Sequence, residues 1–241
     1  MAEPLESAGS DSVFRHRQRF RAGEDECQTG VTKRAWKLRD EFFQSLIDNL
    51  GEPNSHREVP KSSIDKYRSI LPKALLGYWQ NEGWCSYADG LFWIVDPEPY
   101  KATLDRWLQG SGLAEVDNYN VIARDAFGSL YAWGERYQRK ITISSLAGGI
   151  VALKNQLSKP NPVPDRTLGI FLGSTTRESL DFEDNLGKPL FQRALAKLGP
   201  VGADEMYAFE PALCIGGKAD LEHMKKVDIH VHLMILDQLR R

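Results

Sequence analysis

The sequence predicts an α+β fold in which helices flank a mainly antiparallel sheet and a helical or mixed subdomain ends the chain. Three observations support this prediction. Apolar residues recur at helical spacing before residue 80, strand-like segments separated by short turns lie between residues 119 and 143, and helical periodicity returns after Pro189. This order of elements differs from the repeating βαβ order of a parallel α/β protein.

The first part of the fold is predicted to be helical. A helix is expected to begin near Lys33 and to end at Gly51, because glycine readily takes the conformation that follows a helix. Its apolar positions are Trp36, Phe43, Ile47 and Leu50. Ser62 or Ser63 is expected to cap a short helix that runs through Ile70. Another helix, over residues 71–80, follows.

Strands dominate the middle of the chain. Residues 91–95 predict a strand, and Pro97 or Pro99 is expected to begin a third helix. Three further strands are predicted over residues 119–124, 129–133 and 140–143. The turn-forming residues between these three segments are few, which predicts an antiparallel meander.

The second part of the chain begins after a proline-rich connector at residues 157–164. We expect a short apolar segment at residues 168–172, a helix after Pro189 that ends at Gly199, and a terminal helix from about Asp220. The predicted organisation is a disordered tail, a first domain and a second domain that continues the first or stands apart from it. These three parts cover residues 1–32, 33–157 and 165–241.

Composition argues against several classes of function. The chain has 31 basic and 33 acidic side chains, a net charge of −2, whereas a protein that binds nucleic acid directly normally has a basic excess. The apolar runs are too short to cross a membrane, and no apolar signal core follows the N-terminal charges. The three cysteines form no CxxC pair. We therefore expect a cytoplasmic protein with reduced thiols, one that contacts neither membrane nor nucleic acid directly.

Two interpretations of the histidines near the C-terminus are open. If residues 227–233 form a strand, His230 and His232 lie on one face and, with His223, suggest the metal site of a hydrolase. If they form a helix, the histidines lie beside an apolar stripe that packs into the core. That stripe consists of Leu221, Met224, Val231, Ile235 and Leu239. The helical interpretation is favoured, because few residues remain after His232 to supply further ligands.

An acidic segment in the second half has two interpretations as well. It contains Glu178, Asp181, Glu183 and Asp184. Such a cluster is typical of a solvated loop with helix-capping acids, but it also suits a surface that meets a basic partner. Residues 169–176 only hint at a phosphate loop, because they lack the lysine of that motif, and Cys85 is expected to be a buried thiol.

Several long strings resemble a known family. In the first half, the resemblance is to the GAD-like domain of bacterial proteins, and it is found at residues 71–79, 83–84, 87–97 and 121–135. In the second half, the resemblance is to the domain that follows it in immunity proteins of the Tdi type, and it is found at residues 180–184, 190–191, 198–200, 204–213, 216–217 and 230–239. The first half is also similar, more distantly, to the Smi1/Knr4-like immunity superfamily.

The resemblance implies a cytosolic protein that binds and neutralises the nuclease toxin of a type VI secretion system, without catalytic residues, metal or cofactor. Charge and expected exposure make two loops the candidate toxin contacts. Their residues are Glu178, Asp181, Glu183 and Asp184 in one loop and Glu82 and Asp89 in the other. Trp79, Trp93, Trp133, Gly83, Gly90 and Gly128 are assigned to the fold. A metal-dependent hydrolase and a generic Smi1/Knr4-like adaptor are the alternatives.

Overall fold

The computed structural model describes residues 39–240, so the predicted tail and the predicted helix start at Lys33 and Trp36 lie outside the described residues. The α-helices are α1 (Glu41–Leu50), α2 (Lys61–Tyr67), α3 (Lys73–Asn81), α4 (Lys101–Leu108), α5 (Pro164–Gly173), α6 (Arg177–Leu180), α7 (Phe191–Leu198) and α8 (Ile229–Leu239). The strands are β1 (Ser55–Arg57), β2 (Trp84–Tyr87), β3 (Phe92–Ile94), β4 (Tyr119–Asp125), β5 (Leu130–Gly134), β6 (Lys140–Ser144), β7 (Gly149–Val151), β8 (Glu205–Phe209) and β9 (Met224–Asp228).

Strands β1 to β7 form one sheet in chain order, and every neighbouring pair is antiparallel. The predicted meander of β4, β5 and β6 is therefore confirmed, and it lies within a longer meander. Strands β8 and β9 form a separate antiparallel pair. The α+β prediction is correct.

The ends of helix α1 follow from local chemistry. The carboxylate of Asp40 accepts a hydrogen bond from the backbone N–H of Phe43 at 2.8 Å, which caps the first turn. Gly51 has φ +88° and its N–H donates to the carbonyl of Ile47, so the predicted stop is confirmed. Between these ends Phe43 and Leu46 are fully buried.

The sheet is covered on both faces, and successive residues of β4 show this directly. Ile122 belongs to one apolar core and Val121 to the other, as the alternation of side chains along a strand requires. The first core contains residues of α1, α2, α3, α5 and α7, among them Phe43, Tyr67, Trp79, Leu168 and Phe191. The second core contains residues of α4 and α8, among them Leu104, Trp107 and Leu233.

Helix α5, from the second half of the chain, packs closely against α1, from the first. A Cβ placed on Gly169 would lie 2.5 Å from Cδ2 of Phe42, and one on Gly173 would lie 3.1 Å from the Phe42 carbonyl oxygen. The absence of a side chain at these positions allows the two helices to approach. Residues on both sides of the predicted boundary at 157–164 thus share one core.

Helix α8 buries a different face from the predicted one. Val231, Ile235 and Leu239 of the expected core stripe are exposed, whereas Ile229, Leu233, Leu236 and Asp237 are buried. The buried carboxylate of Asp237 accepts hydrogen bonds from Arg106 of α4 at 2.9 Å and from Arg240, at the end of its own helix, at 2.7 Å. Paired in this way, a carboxylate can be fully buried.

Other sequence predictions differ in detail from the structure. The terminal helix begins at Ile229, not at Asp220, because residues 221–228 form a 3-10 turn and β9. Pro60, not Ser62 or Ser63, precedes α2, which ends at Tyr67 before Ile70. The apolar segment 168–172 lies inside α5, so residues 169–173 form no phosphate loop. Strands β1, β2, β7, β8 and β9 were not predicted.

Five of the six residues assigned to the fold lie as expected, whereas Trp93 is half-buried and lines a surface groove. Trp79 and Trp133 are buried, and Gly83, Gly90 and Gly128 have positive φ. Cys85 is buried, as predicted, and Cys214 is exposed. Over residues 39–240, no helix has both the length and the apolar character that a membrane crossing requires.

Replacement of Gly169 by alanine tests the contact between α1 and α5. We expect Gly169→Ala to lower the free energy of unfolding by about 1–3 kcal/mol, because its methyl group would overlap the Phe42 ring. Gly77→Ala is the matched control, since Gly77 also lies inside a helix but has open space around its Cα. This control should raise stability by about 0.5–1 kcal/mol. Urea denaturation measures both values, and equal effects of the two substitutions would contradict the close approach.

Candidate functional site

A groove of about 790 Å³ opens where the sheet ends at β1, β2 and β3. Its lining comes from strands β1 to β3 and the turns beside them, the segment that leads into α4, Leu195 of α7, and the loop at residues 200–204 after α7. The lining is part aromatic and part charged, with Trp84, Trp93 and Tyr100 beside Arg57, Asp89, Asp96 and Asp204. The groove is larger than either of the next two cavities in the described part of the chain, which measure about 430 and 340 Å³.

The sheet register builds one side of this groove. Ser55, Ser86 and Trp93 are cross-strand neighbours on β1, β2 and β3, so their side chains lie in one row. The hydroxyl groups of Ser55 and Ser86 are hydrogen-bonded at 2.7 Å, and Nε1 of Trp93 donates to the carbonyl of Gly90 at 2.8 Å. These bonds hold the row in a defined arrangement.

Arg57 lies on the outer strand β1 and interacts with two groups of the groove. Its guanidinium carbon is 4.4 Å from the centroid of the Trp84 ring, and its Nη2 is 3.4 Å from Oδ2 of Asp96. The Arg57 side chain is nevertheless 62% exposed. The Arg57 guanidinium is thus held at the groove between an indole ring and a carboxylate of the same chain.

Arg124 holds the opposite wall in place. This side chain on β4 is fully buried, its guanidinium carbon lies 4.5 Å from the Trp93 ring centroid, and burial lowers its pKa. Its Nη2 donates to the carbonyl oxygens of Gly202 at 2.7 Å and Ala203 at 3.0 Å. The loop at residues 200–204 is thereby tied to the sheet.

Two carboxylates stand exposed at the groove. Asp89 has φ +60°, and its backbone N–H donates to the side-chain oxygen of Asn54 at 2.6 Å. The side chain of Asp204 is 76% exposed, and its Oδ1 lies 3.9 Å from Nε2 of His230. Each of them adds negative charge to the groove where a partner could reach it.

The structure separates the two acidic residues predicted to lie together in the first loop. Asp89 is exposed, as expected. Glu82 is buried, so its expected exposure is corrected. Arg39 donates to both carboxylate oxygens of Glu82, at 2.8 and 3.0 Å, and to both of Glu52, at 2.9 and 2.8 Å. These bonds raise the pKa of Arg39 and join the segment before α1 to the end of α3.

The second acidic segment also divides into two kinds of residue. Glu178 and Glu183 are exposed. Asp181 Oδ1 accepts the backbone N–H groups of Phe182, Leu190 and Phe191, so it fixes the start of α7. Asp184 was expected to be exposed with the others but is buried, which is a second correction.

Asp184 closes the loop between α6 and α7. Its Oδ1 accepts the N–H groups of Leu186 at 2.9 Å and Lys188 at 3.0 Å, and Arg193 donates to its Oδ2 at 2.6 Å. Arg193 and these backbone donors lower the pKa of Asp184 to about 2. A charged Asp184 therefore stabilises the folded loop.

The histidines do not form the suggested metal site. His230 and His232 lie in helix α8, where residues two apart point in widely different directions, so the strand interpretation is wrong. His223 is hydrogen-bonded to Asp220 at 2.6 Å, and the His230 ring lies 4.9 Å from the Tyr100 ring. Within residues 39–240, no three His, Cys, Asp or Glu side chains are arranged to hold a metal ion.

Cys85 and His56 are neighbours, although the sequence did not suggest it. Sγ of Cys85 lies 3.6 Å from Nδ1 of His56 and donates to the carbonyl of Glu82 at 2.8 Å. Nδ1 of His56 lies 2.5 Å from the same carbonyl. Because the thiol is fully buried, this arrangement supports the β1–β2 pairing and does not present a nucleophile to solvent.

Sequence reasoning missed the groove residues Arg57, Trp84 and Asp204, and the buried Arg124 behind them. A signal for Arg124 was present, because it and Asp125 are two charged residues within the otherwise apolar stretch Val121–Phe127. A cation inside a predicted central strand points to a buried and specific partner. No comparable signal marks Asp204, whose position depends on the long-range loop contact.

Two family models match the chain, one in each half. The family model of the GAD-like domain matches residues 41–147, and that of the C-terminal domain of the T6SS immunity protein Tdi1 matches residues 165–240. The crystal structure of Atu4351 from Agrobacterium tumefaciens is similar with a TM-score of 0.71 and 25% sequence identity, over 81% of this chain and 88% of that one. No curated protein sequence matches the chain.

A test of the internal role of Asp184 follows from its contacts. Asp184→Asn should lower the midpoint of thermal unfolding at pH 7, because it removes the charge that Arg193 and two N–H groups stabilise. The folded pKa of about 2 lies below the ordinary 3.8, so this stabilisation is present above about pH 4 and is lost as the pH falls towards 2. The deficit of the variant should therefore shrink at pH 2.5. Glu183→Gln, at an exposed position, is the control, and equal behaviour of the two variants would contradict the assignment.

Proposed function

With a GAD-like domain followed by the C-terminal domain of Tdi1, the chain belongs to the Tdi-type immunity proteins of type VI secretion systems, and from this premise we propose that it binds and neutralises a cognate nuclease toxin in the cytosol. The observation that carries the proposal is the order of the two family matches, which together span most of the chain. The bound toxin is a DNA-cleaving enzyme, and inhibition results from tight, stoichiometric binding.

The chemistry of the described residues supports a binding role. The exposed acidic side chains of the chain include Asp89 and Asp204 at the groove and Glu178 and Glu183 on the second acidic segment. A nuclease needs a basic surface to approach DNA phosphates. Local acidic surfaces on the inhibitor complement such a partner and accelerate the encounter, although the net charge of the whole chain is only −2.

Among the predicted toxin contacts, Glu178, Glu183 and Asp89 are exposed and remain the proposed ones. Glu82, Asp181 and Asp184 act within the fold through Arg39, backbone N–H groups and Arg193. Reversal of all acidic residues of the second segment at once would therefore mix loss of binding with loss of structure.

Co-expression with the adjacent open reading frame tests the proposed function. Cells that make that toxin alone should lose viability and contain fragmented DNA, whereas cells that also make this chain should survive with intact DNA. The two purified proteins should form a stable complex in size-exclusion chromatography. Death in spite of expression of the chain, with no complex, would contradict the proposal and favour a generic adaptor.

Charge reversal tests the second acidic segment as a toxin contact. Glu178→Lys combined with Glu183→Lys should weaken toxin binding by about tenfold or more, because exposed acids that face a basic partner become repulsive. Glu115→Lys combined with Glu222→Lys is the matched control, with the same change in net charge at other exposed acids. Calorimetric titration gives both affinities. Equal affinities of the two double variants would remove the segment from the interface.

A further inference from the structure

We propose that the groove beside β1 captures an arginine or lysine side chain from the DNA-binding surface of the toxin. This inference rests on the proposed function and adds to it the place where the partner binds and the chemical group that enters. The lining of the groove, its charge and the anchoring of its wall support the proposal.

The lining has the components that bind an organic cation. Indole and phenol rings come from Trp84, Trp93 and Tyr100, and carboxylates come from Asp96 and Asp204. Arg57 already lies against the Trp84 ring and Arg124 against the Trp93 ring, so an incoming cation would meet the free edges of these indoles and the carboxylates. Cations are attracted both to aromatic faces and to carboxylates, and guanidinium groups pair with carboxylates in a planar geometry. Arg57 already makes this combination of contacts on one side of the groove, with Trp84 and Asp96.

The charge of the groove favours a cation over an anion. Three carboxylates line it, from Asp89, Asp96 and Asp204, and two guanidinium groups lie against them: Arg57 in the lining and Arg124, buried behind Trp93 and bonded to the carbonyls of the 200–204 loop. Arg57 pairs with Asp96, which leaves the other two carboxylates for a partner. In the described part of the chain, Asp89 has no lysine or arginine at salt-bridge distance, and the ion-pair partner of Asp204 is His230 at 3.9 Å.

The wall that carries Asp204 is held before any partner arrives. Arg124, buried behind Trp93, donates to the carbonyls of Gly202 and Ala203, and the backbone carbonyl of Asp204 accepts the N–H of Ile229 at 2.9 Å. A preformed site loses little conformational freedom on binding and therefore binds more tightly. The volume of about 790 Å³ leaves room for a long side chain together with part of its backbone.

The chemistry of a nuclease supplies the matching group. Enzymes that bind DNA present arginine and lysine side chains to the phosphates. A groove that holds one of these side chains between carboxylates and aromatic rings takes the place of a phosphate, so binding of the inhibitor and binding of DNA become mutually exclusive.

Removal of negative charge and removal of positive charge at the groove should change the affinity for the toxin in opposite directions, and this tests the proposal. Asp89→Asn with Asp204→Asn should weaken toxin binding by about 10- to 100-fold and reduce its salt dependence. Asparagine tolerates the positive φ at position 89, and the Asp204 side chain is exposed, so the fold should persist. Arg57→Gln should bind at least as tightly as the wild type, with a gain of up to about tenfold, because it frees the carboxylate of Asp96.

The matched control is Glu115→Gln with Glu222→Gln, which removes the same two charges outside the groove and should leave the affinity unchanged. Thermal unfolding of every variant checks the fold. The groove assignment would be overturned if the Asp89/Asp204 variant bound the toxin as tightly as the wild type, or if Arg57→Gln lost as much affinity as that variant. In either case the proposed function would stand, provided that the unsubstituted chain still binds the toxin and protects cells. If the wild-type chain itself binds no toxin, both proposals fail.

Discussion

Burial of both faces of a seven-stranded sheet is the constraint on which the rest of this structure depends. Helices from the first half of the chain cover only part of that surface, and α5, α7 and α8 from the second half complete the cover. Two contacts let these covering helices pack closely. One is the approach of α5 to α1 at Gly169, and the other is the buried carboxylate of Asp237 on α8, which is bonded to Arg106 and Arg240. One depends on the absence of a side chain and the other on complete pairing of a buried charge.

The groove forms where this cover stops. At the β1 end of the sheet the loop at residues 200–204 lies across the gap, and Arg124 holds it there through main-chain carbonyls. The outer strand and the loop thus come from the two separately matched parts of the chain. The residues that stabilise the fold in this region are buried, and only a few residues carry the exposed charge. The exposed residues can therefore change without loss of the fold.

Local chemistry made the first half of the fold predictable, and tertiary contacts limited prediction elsewhere. Helix α1 with its stop at Gly51, helix α3 after Pro72 and the meander all follow from periodicity and turn residues. The buried face of helix α8 was predicted wrongly from the periodicity of its apolar residues, since the buried face includes Asp237, whose partner Arg106 on α4 is distant in sequence. Among the candidate site residues, exposure was predicted correctly for Asp89 but not for Glu82 or Asp184, whose distant partners no spacing reveals.

The shared core has a consequence for how proteins of this build diverge. Because α1 and α5 meet at Gly169 without space for a methyl group, each half is shaped to its own counterpart. Exchange of one half between two relatives by recombination would pair helices that were never fitted to each other. A chimera of two relatives should therefore be stable only where the glycine of α5 and the aromatic ring of α1 are both kept.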